Sequence, residues 1–173
     1  MKVIAFAASS SRQSINKQLV TYATGLIADA QIEVLDLNHY EMPIFSEDRE
    51  KASGIPALAQ QFFNKISGCD ALVISFAEHN GSYTAAFKNI FDWCSRIDSK
   101  VYQGKAAVFL ATSPGPGGAA SVLATAVNSA PNFAADLKGS LSVPSFYDNF
   151  DIEKGCLQDM VLQDQLQAVM AKL

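Results

Sequence analysis

The residues able to do chemistry in this chain lie in three short loops rich in hydroxyls, amides and glycine. The first, Ala8-Ser9-Ser10-Ser11-Arg12-Gln13-Ser14-Ile15-Asn16, carries four serines. It sits between a strand-like run and a helix-like one. That order leaves unpaired backbone N–H groups at a helix N-terminus, where the macrodipole adds positive partial charge and a phosphate is favoured. Ser9, Ser11 and Ser14 each offer a hydroxyl, Asn16 an amide and Arg12 a cation, with the main chain at Ile15 opening the helix. The loop lacks the Gly-Lys-Ser/Thr of a nucleoside-triphosphate loop, and it contains no glycine for a dinucleotide fingerprint. A single terminal phosphate therefore fits it better than a triphosphate or a pyrophosphate. One serine suffices as an ordinary helix cap; four of them with Arg12 and Asn16 exceed that need.

The second loop, Phe76-Ala77-Glu78-His79-Asn80-Gly81-Ser82-Tyr83, and the third, Ala111-Thr112-Ser113-Pro114-Gly115-Pro116-Gly117-Gly118, suit a flat heterocycle. Asn80-Gly81 favours a tight turn with positive φ, which presents backbone N–H groups to ring oxygens and nitrogens. His79 and Tyr83 are planar and either can cover a ring. Ser82 is a candidate cap for a helix beginning near Thr84. In the third loop Thr112 and Ser113 offer hydroxyls, and Gly115, Gly117 and Gly118 remove side chains where a ligand approaches the backbone. Taken singly, a helix-capping turn and a flexible strand-to-helix connection have the same compositions.

Three scattered loops form one site only if a sheet carries them to one edge. Each follows a short apolar run: Val3–Phe6, Ala71–Phe76 and Ala106–Ala111. Ile32 to Leu37 gives a further strand, and Leu137, Leu141 and Val143 a weaker fifth. Between them, apolar residues recur at helical spacing, as in Ile15, Leu19, Tyr22, Ala23, Leu26 and Ile27. Strand–helix alternation predicts right-handed βαβ units and a parallel sheet, and strands apolar throughout predict helices on both faces. The expected fold is α/β: a flavodoxin-like three-layer sandwich with a parallel five-stranded sheet of order 2-1-3-4-5, residues 1–173 forming one domain. Ligands bind at the carboxyl ends of such strands. The polar connection from Asn38 to Gly54 reads as a solvated loop, a lid or a subunit contact.

Composition narrows the function. Hydrophobic residues make up 49% of the 173 and charged residues 17%, enough apolar material for a core. The formal net charge is -4 and no basic residues cluster, which argues against nucleic acid and anionic membrane. No apolar run approaches the ~20 residues of a membrane span, and the start lacks a signal-peptide pattern; a cytoplasmic location is expected. Cys69, Cys94 and Cys156 are odd in number and far apart, and His39 has no ligand spacing to His79, so no metal site is expected. A low-molecular-weight phosphatase needs a cysteine in the first loop, and residues 7–16 hold none. A response-regulator receiver needs an acidic cluster after the first strand, which is also missing.

Together the loops resemble the NADPH-dependent FMN reductase family. The first is similar to that family's Gly-Ser-rich phosphate loop, with Ala8 in place of a glycine. Ala77-Glu78-His79-Asn80-Gly81-Ser82 resembles its Pro-Glu-Tyr-Asn-Gly-Ser signature, and Phe87-Lys88-Asn89-Ile90-Phe91-Asp92-Trp93 its Leu-Lys-Asn-Ala-Ile-Asp-Trp helix. The third resembles its Ser-Pro-Gly-Gly-Arg-Gly-Gly turn, with Pro116-Gly117 where members often carry Gly-Arg. The likeness runs from residue 3 to about residue 120. It implies a noncovalent FMN, its phosphate on Ser9, Ser11, Arg12, Ser14, Ile15 and Asn16. The ring would lie against Ala77, Glu78, His79, Asn80 and Gly81, with Thr112, Ser113, Pro114 and Gly115 opposite. It further implies NADPH or NADH as electron donor, a quinone or similar small acceptor, a homodimer or homotetramer, and no obligatory catalytic side chain. The alternative on the same residues is a non-enzymatic FMN electron carrier or redox-sensing module. On this reading, changing Ser14 and Asn16 together to Ala weakens FMN binding without unfolding the protein.

Overall fold

Alternation along the central strands divides the interior in two. In a strand successive side chains point to opposite faces, and here both sets are apolar. The computed structural model describes all residues, Met1–Leu173. Its main sheet comprises β1 (Lys2–Ala8), β2 (Gln31–Leu35), β3 (Ala71–Phe76), β4 (Ala106–Thr112) and β5 (Asp136–Val143). Ile4, Phe6, Leu72, Ile74, Phe76, Phe109 and Ala111 enter one core, whereas Val3, Ala5, Val73, Val108 and Leu110 enter the other. Helix α3 (Ala57–Ser67), α4 (Ala85–Ile97) and α5 (Ala120–Ser129) contribute to the first core; α1 (Ile15–Thr24) and α7 (Met160–Met170) cover the second. The remaining helices are α2 (Glu47–Ser53) and the four-residue α6 (Phe146–Asn149).

The strand order is 2-1-3-4-5 and every pairing in the sheet is parallel. This is the flavodoxin-like arrangement expected from the alternation. β5 is an edge strand with only Val143 fully buried, which explains its faint apolar signal. A register shift opposite Ala107 and Val108 lets it follow the twist of β4. Because β1, β3 and β4 run side by side in one direction, the three loops after them emerge at one edge.

Local expectations hold with two corrections. Ser14 caps α1, its Oγ accepting from the Lys17 N–H. Asn80 and Gly81 have φ of 52° and 76° and join Glu78–His79 to Ser82–Tyr83 in an antiparallel ribbon, the geometry such a pair prefers. Ser82 therefore lies in the ribbon, and Thr84 is the cap of α4: its hydroxyl accepts from the Phe87 N–H and donates to the Ala8 carbonyl. The stretch from Asn38 to Gly54 is not a bare loop. A 3-10 turn (Leu37–Tyr40) and α2 occupy it, and α4 holds it down. Asn89 bonds Phe45, Met42 and Pro43, the Trp93 indole donates to Pro43, and Arg96 pairs with Glu50.

Candidate functional site

The edge where β1, β3 and β4 end holds a cavity of about 240 Å³. Ser9, Ser11, Ser14, Ile15 and Asn16 line it from the first loop, Ala77, Glu78 and His79 from the second, and Thr112, Ser113 and Pro114 from the third. Residues up to 105 positions apart thus share one wall system, as the sheet order requires. Two larger clefts, of about 550 and 390 Å³, lie between α1 and residues 150–155 and beside residues 37–44. Neither gathers all three loops, so convergence of functional groups, not volume, singles out the smaller cavity.

The first loop keeps its donors free. Ser11 N–H donates to Ser9 Oγ and Ser14 N–H to the Ser11 carbonyl, which curls the chain. The main-chain N–H groups of Gln13, Ile15 and Asn16 find no acceptor within the chain. Ser9 and Ser14 are 8% and 7% exposed, and each hydroxyl is used as an acceptor, so its proton is available to a ligand. Unpaired N–H groups at a helix N-terminus beside such hydroxyls form a seat for one phosphate.

Asn16 has a different task. Its Oδ1 accepts from Ser75 Oγ at 2.7 Å and from Thr112 N–H at 3.1 Å, while its Nδ2 donates to the Thr112 carbonyl at 3.1 Å. At 2% exposure this amide ties α1 to the ends of β3 and β4. Its side chain holds the loops together, while its main-chain N–H has no acceptor within the chain. Glu78 lines the cavity and has a further task. Its Oε2 accepts from the Val122 N–H at 2.8 Å. Helix α5 begins after a left-handed Ala119 with no side-chain cap of its own, so Glu78 supplies a cap from across the site and pins the ribbon to α5.

Thr112 is 1% exposed and donates to the Val143 carbonyl. The third loop is braced rather than flexible: the Gly115 carbonyl accepts from Gly118 N–H, Ser145 N–H and Ser113 Oγ. Gly118 is left-handed at φ 58°, and a Cβ there would crowd Ser142 Oγ and the Pro144 main chain at 3.1 Å. Four of the expected residues do not line the cavity. Arg12 is exposed and forms no ion pair; Asn80 and Gly81 stand at the tip of the ribbon; Gly115, half-buried within the third loop, serves as an acceptor. Gln13 and Tyr147 do line it and were missed. Gln13 lies inside the quoted loop and could have been read as a donor. Tyr147 carried no local signal.

No lysine or arginine lines the cavity, and His79 is its one potential cation. The lysine of the first turn of α1 is engaged elsewhere: Lys17 pairs with Asp36 at 2.8 Å and holds that carboxyl at about 2, well below the usual carboxylate range. The buried thiols offer no nucleophile. Burial pushes Cys94 up to about 12 and raises Cys69 as well. No three His, Cys, Asp or Glu side chains gather as a metal site would require.

Residues 1–148 match the family described as NADPH-dependent FMN reductase. The chain belongs to this family. A relative, an NAD(P)H-dependent FMN reductase of Pseudomonas aeruginosa, is 32% identical over 121 residues, covering 69% of this chain and 64% of the relative. An NADPH:quinone oxidoreductase of Arabidopsis thaliana is 30% identical over 70% of this chain and 62% of its own length. The chain thus spans less than two thirds of these relatives. Among solved structures, the NAD(P)H:(acceptor) oxidoreductase FerB of Paracoccus denitrificans superposes with a TM-score of 0.77 at 22% identity, over 98% of this chain and 93% of that one; at this identity the likeness speaks for the fold. Within the family's characteristic α4 segment, the structure gives Asn89 and Trp93 a physical role. They clamp residues 42–45 and stand away from the cavity.

Proposed function

We propose that the chain is an FMN-dependent NAD(P)H oxidoreductase that passes hydride from a nicotinamide to a quinone or similar small acceptor. The observation that carries this is the meeting, in one cavity of an FMN reductase family member, of three unpaired main-chain N–H groups with loops suited to a ring. FMN fits the donor set. The N–H groups of Gln13, Ile15 and Asn16 with the hydroxyls of Ser9, Ser11 and Ser14 would hold its phosphate. Ala77–His79 and Thr112–Pro114 would hold its ring. Bound FMN supplies hydride transfer, so the protein needs position and electrostatics more than an acid, base or nucleophile. Asn16 and Glu78 keep the walls in place, so little reorganisation accompanies binding.

Residues 1–173 act as one FMN-binding domain on this reading. A homodimer or homotetramer belongs to the same reading, as the family resemblance implies. No helix is long and apolar enough to cross a membrane. The test is direct. FMN-loaded protein is yellow and bleaches with NADPH or NADH under anaerobic conditions; protein that stays colourless after incubation with FMN refutes the proposal. The lack of any lysine or arginine on the cavity wall favours a second reading, a non-enzymatic FMN carrier or redox-sensing module. FMN-loaded protein that oxidises NAD(P)H slowly or not at all would select it.

A further inference from the structure

Tyr147 enters the cavity from a fourth loop. β5 lies beside β4 and runs parallel to it, so the chain leaving Val143 emerges at the same edge as Thr112. The turn that follows is tightly specified. Ser145 is left-handed, with φ 44° and ψ 58°. Such residues are uncommon outside glycine and persist where their surroundings over-determine them, often at ligand sites. Here Ser145 N–H donates to the Gly115 carbonyl at 2.9 Å, Phe146 N–H to the Ser113 carbonyl at 3.0 Å, and Asn149 Nδ2 to the Pro144 carbonyl at 2.8 Å. The fourth loop is stitched to the third.

Two adjacent aromatic rings on this turn meet edge to face, with centroids 5.6 Å apart, yet differ in exposure. Phe146 is fully buried and stacks on Phe150 at 4.6 Å between centroids. Tyr147 is 58% exposed and lines the cavity with His79, Ser113 and Pro114. Among the Phe, Tyr and Trp residues of the chain, Tyr147 alone is exposed. An aromatic ring left in solvent on a rigid, strained turn, facing a polar cavity, is poised for another ring. It brings large contact area with only two torsions to immobilise.

We propose that Tyr147 is the aromatic wall of this site, packing against the flat ring of the bound ligand and selecting ring-bearing over ring-free phosphates. The inference rests on the FMN reading above and adds the residue that contacts the ring. It leaves phosphate recognition to the first loop and adds the fourth loop to the second and third in ring recognition.

Binding of three probes separates these roles: FMN, riboflavin, which has the ring without the phosphate, and ribose 5-phosphate, which has the phosphate without the ring. Tyr147→Ala is expected to weaken FMN and riboflavin about tenfold or more, the scale of ring-stacking losses, and to leave ribose 5-phosphate unchanged. Tyr147→Phe keeps the ring and binds both flavins as the parent does. Tyr147→Leu keeps apolar bulk without a ring, and falls with the alanine variant if ring contact is what matters. Emission of bound flavin, quenched by contact with the aromatic side chain, rises in the alanine and leucine variants only. Because the side chain is exposed, thermal unfolding of all three matches the parent. Parent protein that binds FMN while Tyr147→Ala binds it equally well overturns this inference and leaves the FMN reading standing. Equal weakening of ribose 5-phosphate also overturns it, since the residue would then shape the whole loop. Parent protein that binds neither flavin refutes the FMN reading, and this inference with it.

Discussion

Replacing Asn16 by Ala tests whether its side chain is a tie between loops or a contact for the ligand. The change removes three buried hydrogen bonds, to Ser75 Oγ, Thr112 N–H and the Thr112 carbonyl. Ser75 and Thr112 are 0% and 1% exposed, so the abandoned partners gain no access to bulk water. A neutral hydrogen bond contributes about 0.5–1.5 kcal/mol net, and a buried group left without a partner loses about 1–3 kcal/mol. The Ser75 hydroxyl can rotate to a new acceptor, but the two main-chain groups of Thr112 cannot. The summed loss is roughly 3–5 kcal/mol, a large share of the ~5–15 kcal/mol that stabilises a domain. For a chain of this size, a midpoint shift of about 2–4 °C per kcal/mol makes that roughly 6–20 °C. Urea and thermal unfolding, followed by circular dichroism, read this in the absence of any ligand. Asn16→Asp should also be destabilised, because it sets a carboxylate oxygen against the Thr112 carbonyl. A loss below about 1 kcal/mol, within the range of ordinary surface changes, would refute the tie. If stability held while FMN affinity collapsed, the side chain would be a ligand contact after all. Changing Ser14 and Asn16 together therefore costs the fold stability as well as FMN affinity, because Asn16 is a buried tie.

Other consequences follow from the same geometry. Ser9→Ala with Ser14→Ala should reduce affinity for FMN by well over tenfold, at ~1.5–3 kcal/mol for each hydrogen bond to a charged group. Riboflavin binding should be nearly unaffected, and an equal loss for both flavins would contradict phosphate recognition. Glu78→Ala should destabilise the fold by about 1–2 kcal/mol, because α5 has no other side-chain cap. Glu78→Gln, which keeps an acceptor, should recover part of this; identical unfolding curves for the parent and both variants would remove the cap from the account. Lys17→Met should destabilise the protein near neutral pH by breaking the pair with Asp36. Since Asp36 is held at about 2, its contribution is complete above its ordinary value near 4 and is lost as pH falls through about 2. The gap between parent and variant in urea should therefore narrow below about pH 4 and close only below about pH 2, and a gap at pH 2 as wide as at neutral pH would sink this reading.

Much of this architecture was open to reading from residue order. Strands buried on both faces must be apolar at every position, so Val3–Phe6, Ala71–Phe76 and Ala106–Ala111 announce a parallel sheet covered by helices. Asn80-Gly81 announces its turn and Ser14 its cap, since both depend on neighbours within a few positions. Local chemistry pointed to Ser82 as the cap of α4, but its ribbon pairing with His79 leaves that place to Thr84.

The wall of the cavity was not legible in the same way. Asn16 meets Thr112 across 96 positions, Glu78 meets Val122 across 44, and Tyr147 joins a site whose other parts begin at Ser9. Backbone periodicity and capping are short-range properties, written wherever a residue and its partner lie within a turn of each other. Which side chain completes a buried hydrogen-bond network, which carboxylate reaches a foreign helix, and which ring is left in solvent depend on how the strands stack side by side. Residue order alone marked the loops as places for a ligand. Only the packed sheet, which sets their ends at hydrogen-bonding distance from one another, decided which groups face it and which hold the walls apart.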